Sequence, residues 1–444
     1  MVDIEKLLHK TQGVRYLQYH FTDATGKLRC MEETAHRTVP NFCHGLGIDG
    51  SSIPGYAKVD FSDVLLKGEV DTIKTIDYEG EKLSRYAKVD FSDVLLKGEV
   101  DTIKTIDYEG EKLSRVMCHV ENPDGSLSMG DPRSILSRVV EQYHEIGIEP
   151  LSFSEIEYFY FESDGKTPYD KGSYLCSPPE DRCDRLRRDV VRYLEDLGAK
   201  VRRAHHECAH GQNEIEMFLQ PALKNCDDTL TAMWLIENLA MKKDIKVGFS
   251  PKPLPKQSGN GLHQHISLVD LHTGKNVMNK DEVSKEFSDI GKHFIAGVIK
   301  YSRDIAAVFA RNDETFKRFT AGQEAPVWSF WAHSNRNAVL RIPATPPKDL
   351  RVEFRAGDAS GSVHLLNAII FAAGLKGIKD KLACPPETKI SPLKMTEEER
   401  KASGIAKLPC SKEECIEILK SSELIRETLG GLTDWLIHPV AGHD

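Results

Sequence analysis

The chain has 444 residues, of which 40% are hydrophobic and 29% charged, and its formal net charge is −9. This composition excludes a disordered, collagen-like or low-complexity chain, and the acidic balance argues against general binding of nucleic acid or of an anionic membrane. The ten cysteines form no Cys-x-x-Cys pair, the N-terminus is charged and no apolar run is long, so we expect a cytoplasmic protein with reduced thiols and no membrane span.

Alternating apolar and polar residues predict mainly β structure over the first 122 positions. Residues 14–30 alternate like a hairpin, with Asp-Ala-Thr-Gly at the turn. Residues 56–85 then recur without one change as residues 86–115, and each copy predicts a strand, a turn and a second strand. Units of a functional repeat array drift in sequence, so two flawless copies indicate a recent duplication or an artefact of sequence assembly.

A domain boundary is predicted at 125/126, because a Pro-Asp-Gly turn ends the β-rich part and Asp131-Pro132 then opens a helix. Beyond it, strands and helices mix without a regular βαβ rhythm, which predicts an α+β catalytic domain over residues 126–444. The predicted strands are 151–163, 261–270 and 349–357, and the predicted helices are 182–198, 228–244, 286–310 and 362–382.

Several carboxylates have spacings that chemistry can use. Glu155 and Glu157 share one face of a strand, where two like charges need a cation such as a divalent metal, although a solvent-facing strand edge is the alternative. Glu207 and Glu214 flank a Gly-Gln turn that could bring both side chains together. The His-Glu-x-x-His match that contains Glu207 does not indicate a zinc peptidase, because Gly211 follows it directly and no helical periodicity surrounds it.

Two further strands carry imidazoles and guanidinium groups. His263 and His265 share a strand face just after a Gly-Asn-Gly stretch. Arg351, Glu353 and Arg355 also share a face, for which an exposed salt-bridge ladder is the alternative. Four more candidates precede this strand: Arg318, Glu324, Arg336 and Arg341. Carboxylates with arginines suit Mg²⁺ or Mn²⁺ together with a nucleotide phosphate, and hence phosphoryl transfer.

These residues lie in motifs that resemble type I glutamine synthetase over essentially the whole chain. The matching runs are FTDATGKLR, IDGSSIPGY, NPDGSLSMGDPRSIL, SEIEYFYF, HHECAHGQNE, KPLPKQSGNGLHQHIS, FKRFTAGQEAPV, RNAVLRIPA and RVEFRAGD. The resemblance implies an N-terminal β-grasp-like domain and a large catalytic domain with a curved antiparallel sheet. It also implies ATP-dependent ligation of ammonia to the γ-carboxylate of L-glutamate through γ-glutamyl phosphate, giving glutamine, ADP and phosphate.

The resemblance assigns a role to each candidate residue. One metal ion would be held by Glu157, Glu207 and Glu214, and the other by Glu155, His263 and Glu353. The positions that contact ATP are Glu207, His265, Ser267, Arg341 and Arg351, and the arginines on the transferred phosphoryl group are Arg336 and Arg341. The positions that hold glutamate are Gly259, Arg318, Arg336 and Arg355, while Glu324 is the flap glutamate.

The resemblance also implies an assembly. Asp49 and Tyr174 match the residues that bind ammonium and remove its proton, and the aspartate comes from a neighbouring subunit. We therefore expect a homo-oligomer, in the family a dodecamer, with active sites between subunits.

Some positions depart from the family pattern near the glutamate and amine sites. Ser258 replaces a usual asparagine, and Gln323 replaces a tyrosine. The run 357–364, Gly-Asp-Ala-Ser-Gly-Ser-Val-His, keeps only the aspartate and the serine of the family's Pro-Asp-Pro-Ser-Ala-Asn-Pro-Tyr. Two alternatives therefore stay open, a γ-glutamyl ligase that uses another primary amine and a catalytically impaired member with a structural role. The segment 387–400 lacks the tyrosine that some relatives adenylylate.

Overall fold

The computed structural model describes residues 4–34, 38–56, 76–78, 81–83, 94–108, 111–122, 125–281, 283–320 and 324–439. The chain divides into two compact units. The N-terminal unit comprises residues 1–24, 29–134 and 440–444, and the catalytic unit comprises residues 25–28 and 135–439. This division falls within a helix, at 134/135, and the sequence-based boundary at 125/126 stays a prediction.

The strands are β1 (Tyr16–Thr22), β2 (Leu28–Thr34), β3 (Leu46–Ile48), β4 (Ile76–Tyr78), β5 (Glu81–Leu83), β6 (Val94–Gly98), β7 (Lys104–Tyr108), β8 (Glu111–Glu121), β9 (Ile148–Phe161), β10 (Val201–His206), β11 (Gln212–Met217), β12 (Gln220–Pro221), β13 (Lys246–Gly248), β14 (Leu262–Asp270), β15 (Trp331–His333), β16 (Leu340–Ile342) and β17 (Val352–Phe354). The helices are α1 (Ile4–Thr11), α2 (Thr38–His44), α3 (Pro132–His144), α4 (Asp184–Asp196), α5 (Ala222–Met241), α6 (Asp289–Lys300), α7 (Ser302–Phe309), α8 (Asp313–Arg318), α9 (Val363–Lys379), α10 (Glu397–Ala402), α11 (Lys412–Ser421), α12 (Glu423–Leu429) and α13 (Leu432–Ile437). Among the described residues, no helix combines the length and the apolar character needed to cross a bilayer.

The N-terminal unit is built on a six-stranded sheet in the order β2-β1-β8-β6-β3, with β7 also paired to β8. The predicted hairpin over residues 14–30 supplies the neighbouring strands β1 and β2, and β1 lies parallel to β8. Apolar side chains from β1 and β8 are buried in the core of this unit, among them Leu17, Tyr19 and Val120. The expected small β-rich N-terminal domain is therefore confirmed.

The two identical copies occupy different places in this unit. Copy two supplies β6, β7 and the first part of β8, and its Leu96 lies in the core with 0% exposure. Copy one contributes Tyr56 to the core, where its hydroxyl donates to the Thr22 carbonyl at 2.7 Å, and β4 and β5 form a separate two-stranded sheet. Chain continuity explains why copy two supplies these strands of the six-stranded sheet, because β8 runs without a break through the end of copy two into Val116 and beyond. The predicted strands at 56–61 and 86–91 fall mostly outside the described residues.

A partly buried ionic cluster joins copy two to the start of α3. The Glu99 carboxylate lies 2.5 Å from Nε2 of His119 and accepts a hydrogen bond from Arg133 Nη2 at 3.0 Å. Burial opposes the charge of His119, but its hydrogen bonds to Asp131 and Glu99 outweigh this and raise its pKa to about 9. Burial likewise opposes the charge of Glu99, but His119 and Arg133 lower its pKa to about 2.

This cluster predicts a pH dependence of stability. The raised pKa of His119 stabilises the fold fully below the unfolded value of 6.5, and this stabilisation is lost as the pH rises through about 9. The lowered pKa of Glu99 acts with the opposite sign, so its contribution is lost as the pH falls from 4.5 through about 2. In the wild type, we expect the urea midpoint of unfolding, measured by circular dichroism, to fall between pH 6.5 and pH 9. In His119→Gln, we expect this fall to be smaller. Profiles of wild type and variant that run parallel over this range would contradict the assignment.

The catalytic unit is built on a nine-stranded sheet in the order β10-β11-β9-β14-β17-β16-β15, with β12 and β13 also paired to β9. Its central pairs are antiparallel, as expected, whereas β15 and β16 are parallel. One face of β9 contacts α5, where Ser154 N donates to Asn225 Oδ1 at 3.1 Å and the Ser154 hydroxyl lies 2.8 Å from that of Thr229. The odd-numbered residues of β9 point the other way. The expected α+β class is confirmed.

Three element predictions differ from the structure. The single helix expected over 286–310 is two helices, α6 and α7, separated at Tyr301. Helix α5 begins at Ala222, six residues before the predicted start at 228, and β6 was not predicted. Close packing against α9 accompanies the helix break, because a Cβ on Gly297 would approach the Ala373 carbonyl to 2.1 Å.

Candidate active site

Seven of the predicted site residues, together with His205 and Glu216, lie in three cross-strand rows on one face of the catalytic sheet. Strand pairing places them directly opposite one another, so that residues far apart in sequence become neighbours. The rows are His205–Glu214–Glu157, Glu216–Glu155–His263 and His265–Glu353–Arg341. Six strands thus contribute acidic, imidazole or guanidinium groups to a single surface.

A cavity of about 420 Å³ lies over this surface. The predicted residues that line it are Glu155, Glu157, Tyr174, Glu207, Glu214, Gly259, His263, Arg318, Glu324, Arg336, Arg341 and Arg355. Four other predicted residues of this unit are buried and do not line the cavity: His265, Ser267, Arg351 and Glu353. Asp49 belongs to the N-terminal unit, where it follows β3 and accepts a hydrogen bond from Ser52 at 2.6 Å.

His263 lies where three carboxylates converge. Its Nδ1 is 3.1 Å from Glu155, 3.6 Å from Glu157 and 3.8 Å from Glu353. Although burial opposes the charge of Glu155, the imidazoles of His265 and His263 hold its pKa well below the usual value. One predicted ligand set, Glu155 with His263 and Glu353, is therefore brought together.

The other predicted ligand set is crowded with like charge. Burial, followed by the carboxylates of Glu155, Glu157 and Glu207, raises the pKa of Glu214 well above its usual value. Burial also raises the pKa of Glu157, in spite of the nearby His263. A cation would relieve this repulsion.

The donor chemistry of the site fits a hard divalent cation. Ligand atoms of Glu155, His265 and Glu353 lie within 4.8 Å of one another, as do those of His205, Glu214 and Glu216. Carboxylate oxygens dominate, which suits Mg²⁺ or Mn²⁺. These two groups differ in membership from the predicted sets, so the assignment of each ligand to a particular ion stays a prediction.

The strand β17 places a buried charge cluster at the base of the cavity. Glu353 is 0% exposed, and its carboxylate accepts hydrogen bonds from Arg341 at 2.5 Å and from Arg355. Burial opposes its charge, but His265 and Arg355 lower its pKa. The alternative of an exposed salt-bridge ladder for Arg351, Glu353 and Arg355 is therefore wrong. The alternative of a solvent-facing edge for β9 is wrong as well, because β9 is paired on both sides.

The residues predicted to contact ATP extend the site along β14 and β17. His265 stacks on Phe153 with ring centroids 4.2 Å apart, and its Nδ1 accepts from Arg351 Nε at 3.1 Å. The Arg351 guanidinium lies 5.4 Å from the same Phe153 ring. The buried Ser267 hydroxyl donates to the Leu350 carbonyl at 3.3 Å.

Loops and the end of α8 position the remaining residues. A Cβ on Gly259 would approach the Pro251 carbonyl to 2.1 Å, so only glycine fits where the loop lines the cavity. Arg318 is buried and donates to the Ala356 and Arg355 carbonyls at 2.8 and 3.1 Å. On the open side, Arg336 Nη1 lies 3.4 Å from the Glu324 carboxylate, with both side chains exposed.

The turn between β10 and β11 carries Glu207. Its N–H donates to the Gln212 carbonyl at 2.8 Å, and its carboxylate accepts from Cys208 N at the same distance. The Gly211 backbone adopts φ +68°, which the turn requires. The prediction that this turn brings Glu207 and Glu214 to one place is met, since both line the cavity.

Four residues at the site were not predicted from the sequence: His205, Arg202, Glu216 and Gln212. His205 lies 3.2 Å from Glu214 and packs edge-on against Tyr174, with ring centroids 5.5 Å apart. Arg202 pairs with Glu216 at 2.8 Å, and Gln212 donates to the Gly259 carbonyl at 3.1 Å. The alternation of β10 and β11 could have placed these residues on faces, but only the strand pairing shows which charges meet.

Two family sequence models match this chain. The one for the glutamine synthetase catalytic domain matches residues 129–433, and the one for the glutamine synthetase β-grasp domain matches residues 13–89. The chain belongs to the glutamine synthetase family. The resemblance noted from the motifs is thereby confirmed, and membership of this family supports ligase activity.

Named relatives span nearly the whole chain. A glutamine synthetase of Clostridium saccharobutylicum is 31% identical over 431 residues, which cover 95% of this chain and 90% of that protein. One of Thermotoga maritima is 31% identical over 434 residues, covering 97% and 92%.

Solved structures show the same fold. Plasmodium falciparum glutamine synthetase superposes with a TM-score of 0.79 at 21% identity, covering 98% of this chain and 95% of that one. A structure of GmaS without ligand gives a TM-score of 0.77 at 22% identity, covering 98% and 94%.

Proposed function

We propose that the protein joins ammonia to the γ-carboxylate of L-glutamate at the expense of ATP, giving glutamine, ADP and phosphate. The observation that carries this proposal is the set of carboxylates, His263 and arginines gathered on one sheet face around a single cavity. Relatives named glutamine synthetase at about 31% identity support it.

Two Mg²⁺ or Mn²⁺ ions would be held by the two ligand sets, Glu157 with Glu207 and Glu214, and Glu155 with His263 and Glu353. When bound, they would neutralise carboxylate and phosphate charge. The residues themselves bind and orient the reactants. Fixed placement of a nucleophile and an electrophile is the main contribution that a protein makes to phosphoryl transfer.

The proposed reaction has two steps that balance. An oxygen of the glutamate γ-carboxylate attacks the γ-phosphorus of ATP, the bond to the bridging oxygen breaks, and ADP leaves. Ammonium first loses one proton, and the resulting ammonia attacks the γ-carbonyl carbon. Phosphate then leaves with the former carboxylate oxygen, and the nitrogen loses a second proton, which the departing phosphate takes up.

The arginines suit the charges of these reactants. Arg336 and Arg341 line the cavity and would bind the transferred phosphoryl group, since guanidinium groups bind phosphate oxygens in pairs. Arg318 and Arg355, with the Gly259 backbone, would hold glutamate. Exposed Glu324 would close over the intermediate from the open side.

For the nucleotide, His265, Ser267 and Arg351 would contribute contacts beyond those of Glu207 and Arg341. For the amine, Tyr174 and Glu207 line the cavity, and Asp49 would come from a neighbouring copy of the chain. The proposal therefore includes a homo-oligomer such as the family dodecamer. A cytoplasmic location stays a prediction.

A second candidate is a γ-glutamyl ligase for another primary amine. Ser258, which departs from the family asparagine, lines the cavity and favours this alternative. The departure at His364 does not, because that residue is buried and its Nε2 lies 3.0 Å from Asp227 of α5.

An amine panel distinguishes the candidates. With ATP, glutamate and excess Mg²⁺ or Mn²⁺, we expect kcat/KM for ammonia to exceed the values for methylamine and for polyamines, with products identified by mass spectrometry. A higher value for one of the other amines would establish the second candidate. Absence of any amide with every amine would indicate the catalytically impaired alternative.

A further inference from the structure

Asp170 is a buried carboxylate that accepts hydrogen bonds from three segments of the catalytic unit. Its side chain is 1% exposed. The donors are the N–H groups of Gly172 (3.2 Å), Gly211 (2.9 Å) and Arg182 (3.1 Å), the Cys183 thiol (3.3 Å) and the His206 Nε2 (2.9 Å). One side chain thus joins the loop after β9, the end of β10 and the turn before β11.

The segments joined by Asp170 carry Tyr174 and Glu207. On the loop side, the residue after Tyr174 is fixed by its N–H, which donates to the His206 carbonyl at 3.1 Å. On the turn side, His206 Nδ1 donates to the Glu207 carbonyl at 2.7 Å. The path from Tyr174 to Glu207 therefore passes through His206, whose ring Asp170 holds.

The fit around this path is tight. A Cβ on Gly172 would lie 2.6 Å from His206 Nε2, so the loop approaches the imidazole as closely as glycine allows. A Cβ on Gly211 would lie 2.6 Å from the Tyr160 carbonyl. Loss of the carboxylate acceptor cannot be compensated by a small local shift, because neighbouring atoms already fill the space.

A metal does not explain this cluster. Ligand atoms of Asp170, Asp181 and Cys183 lie within 4.8 Å of one another, but the buried Arg187 guanidinium donates to Asp181 at 2.5 Å and supplies a positive charge. Each carboxylate already accepts hydrogen bonds from backbone and side-chain donors.

We propose that Asp170 is a positioning residue that sets the distance between Tyr174 and Glu207, and so governs the amine half of the site without touching a substrate. This inference rests on the proposed function for the role of those two residues. Partners of this kind change metal affinity or activity by about 10- to 100-fold when they are replaced. The effect should fall on ammonia binding and on the metal ion held with Glu207, and spare the proposed glutamate contacts Arg318 and Arg355, which lie on other segments.

Asp181 offers a matched control in the same network. It is equally buried, with 1% side-chain exposure, and it accepts from Arg187 and, at 3.0 Å, from Cys183 N. Its hydrogen bonds run to Cys183 and Arg187 at the start of α4, and among the described residues none joins it to His206 or to the turn that carries Glu207. Replacing it tests what the loss of a buried carboxylate does by itself.

The test compares Asp170→Asn with Asp181→Asn in the full chain. We expect Asp170→Asn to raise KM for ammonia about 10-fold or more, to leave KM for glutamate within about twofold, and to weaken Mn²⁺ binding about 10-fold. Mn²⁺ binding is measured without substrates by electron paramagnetic resonance. Asp181→Asn should leave KM for ammonia and Mn²⁺ affinity within about twofold, whatever its effect on the urea midpoint.

Two results would overturn the inference: wild-type ammonia KM and Mn²⁺ affinity in Asp170→Asn, or equal losses in both variants. If Asp170→Asn does not fold, Gly172→Ala serves instead, since its Cβ displaces the His206 contact, and it should give the same rise in KM for ammonia. A wild-type chain that makes no glutamine would refute the proposed function, while the difference in Mn²⁺ affinity between the variants would still test the positioning of Glu207.

Discussion

Replacing Glu353 by glutamine is expected to lower turnover about 100-fold or more, because the carboxylate is both a proposed metal ligand and the partner of two guanidinium groups. In the folded protein this carboxylate is fully buried between Arg341 and Arg355. The variant leaves both arginines without their shared counter-charge, which costs about 3–5 kcal/mol where a buried pair is broken.

Turnover is measured at saturating ATP, glutamate and ammonia with excess Mn²⁺, beside a urea unfolding curve that reports stability. Glu414→Gln is the control, since its carboxylate pairs with Arg303 at 2.6 Å between half-exposed side chains far along the chain from the site. We expect that control to keep wild-type turnover. Near-wild-type turnover in Glu353→Gln would show that the ligand assignment is wrong.

The second large effect concerns the duplicated segment. Leu96→Ala in copy two should lower the free energy of unfolding by about 2–5 kcal/mol, because the side chain is fully enclosed in the N-terminal core. The same change at Leu66, its equivalent in copy one, should cost much less. The local sequences are identical, so intrinsic propensities cancel and only the place of each copy in the fold differs.

Urea midpoints of the two single variants decide this prediction. A larger loss for Leu66→Ala would show that copy one fills the core, and equal losses would show that both copies have structural places.

We also expect a chain lacking residues 86–115 to keep its turnover and assembly. Removing residues 56–85 gives the same sequence, so the deletion tests whether 30 residues are surplus and the point variants test which copy is used.

Local sequence patterns predicted the elements that carry the site. Alternation along β9 and β14 placed Glu155, Glu157 and His263 on strand faces, and the structure puts them on one surface. The same pattern could not show that Glu155 faces both His263 and Glu216, because pairing depends on strand order and register, which non-local contacts decide. The role of each residue came from the family resemblance and not from periodicity.

The features that the sequence did not predict are those that depend on tertiary packing. The break between α6 and α7 at Tyr301 has no proline or cap signal in the sequence, and it accompanies the close approach of Gly297 to α9. Strand β6 lies in a segment that is repeated letter for letter, so no local signal could tell which copy would join the sheet. Continuity of β8 into Val116 resolves that choice, and it is visible only in the folded chain.

The most direct test of the proposed reaction follows one oxygen atom. The enzyme is supplied with ATP, ammonia and glutamate labelled with ¹⁸O in the γ-carboxylate, and the products are examined by mass spectrometry. Attack of the carboxylate on the γ-phosphorus predicts one ¹⁸O in each released phosphate and the other in the amide of glutamine. Phosphate without ¹⁸O, or ATP cleavage without glutamine, would contradict ligation through γ-glutamyl phosphate.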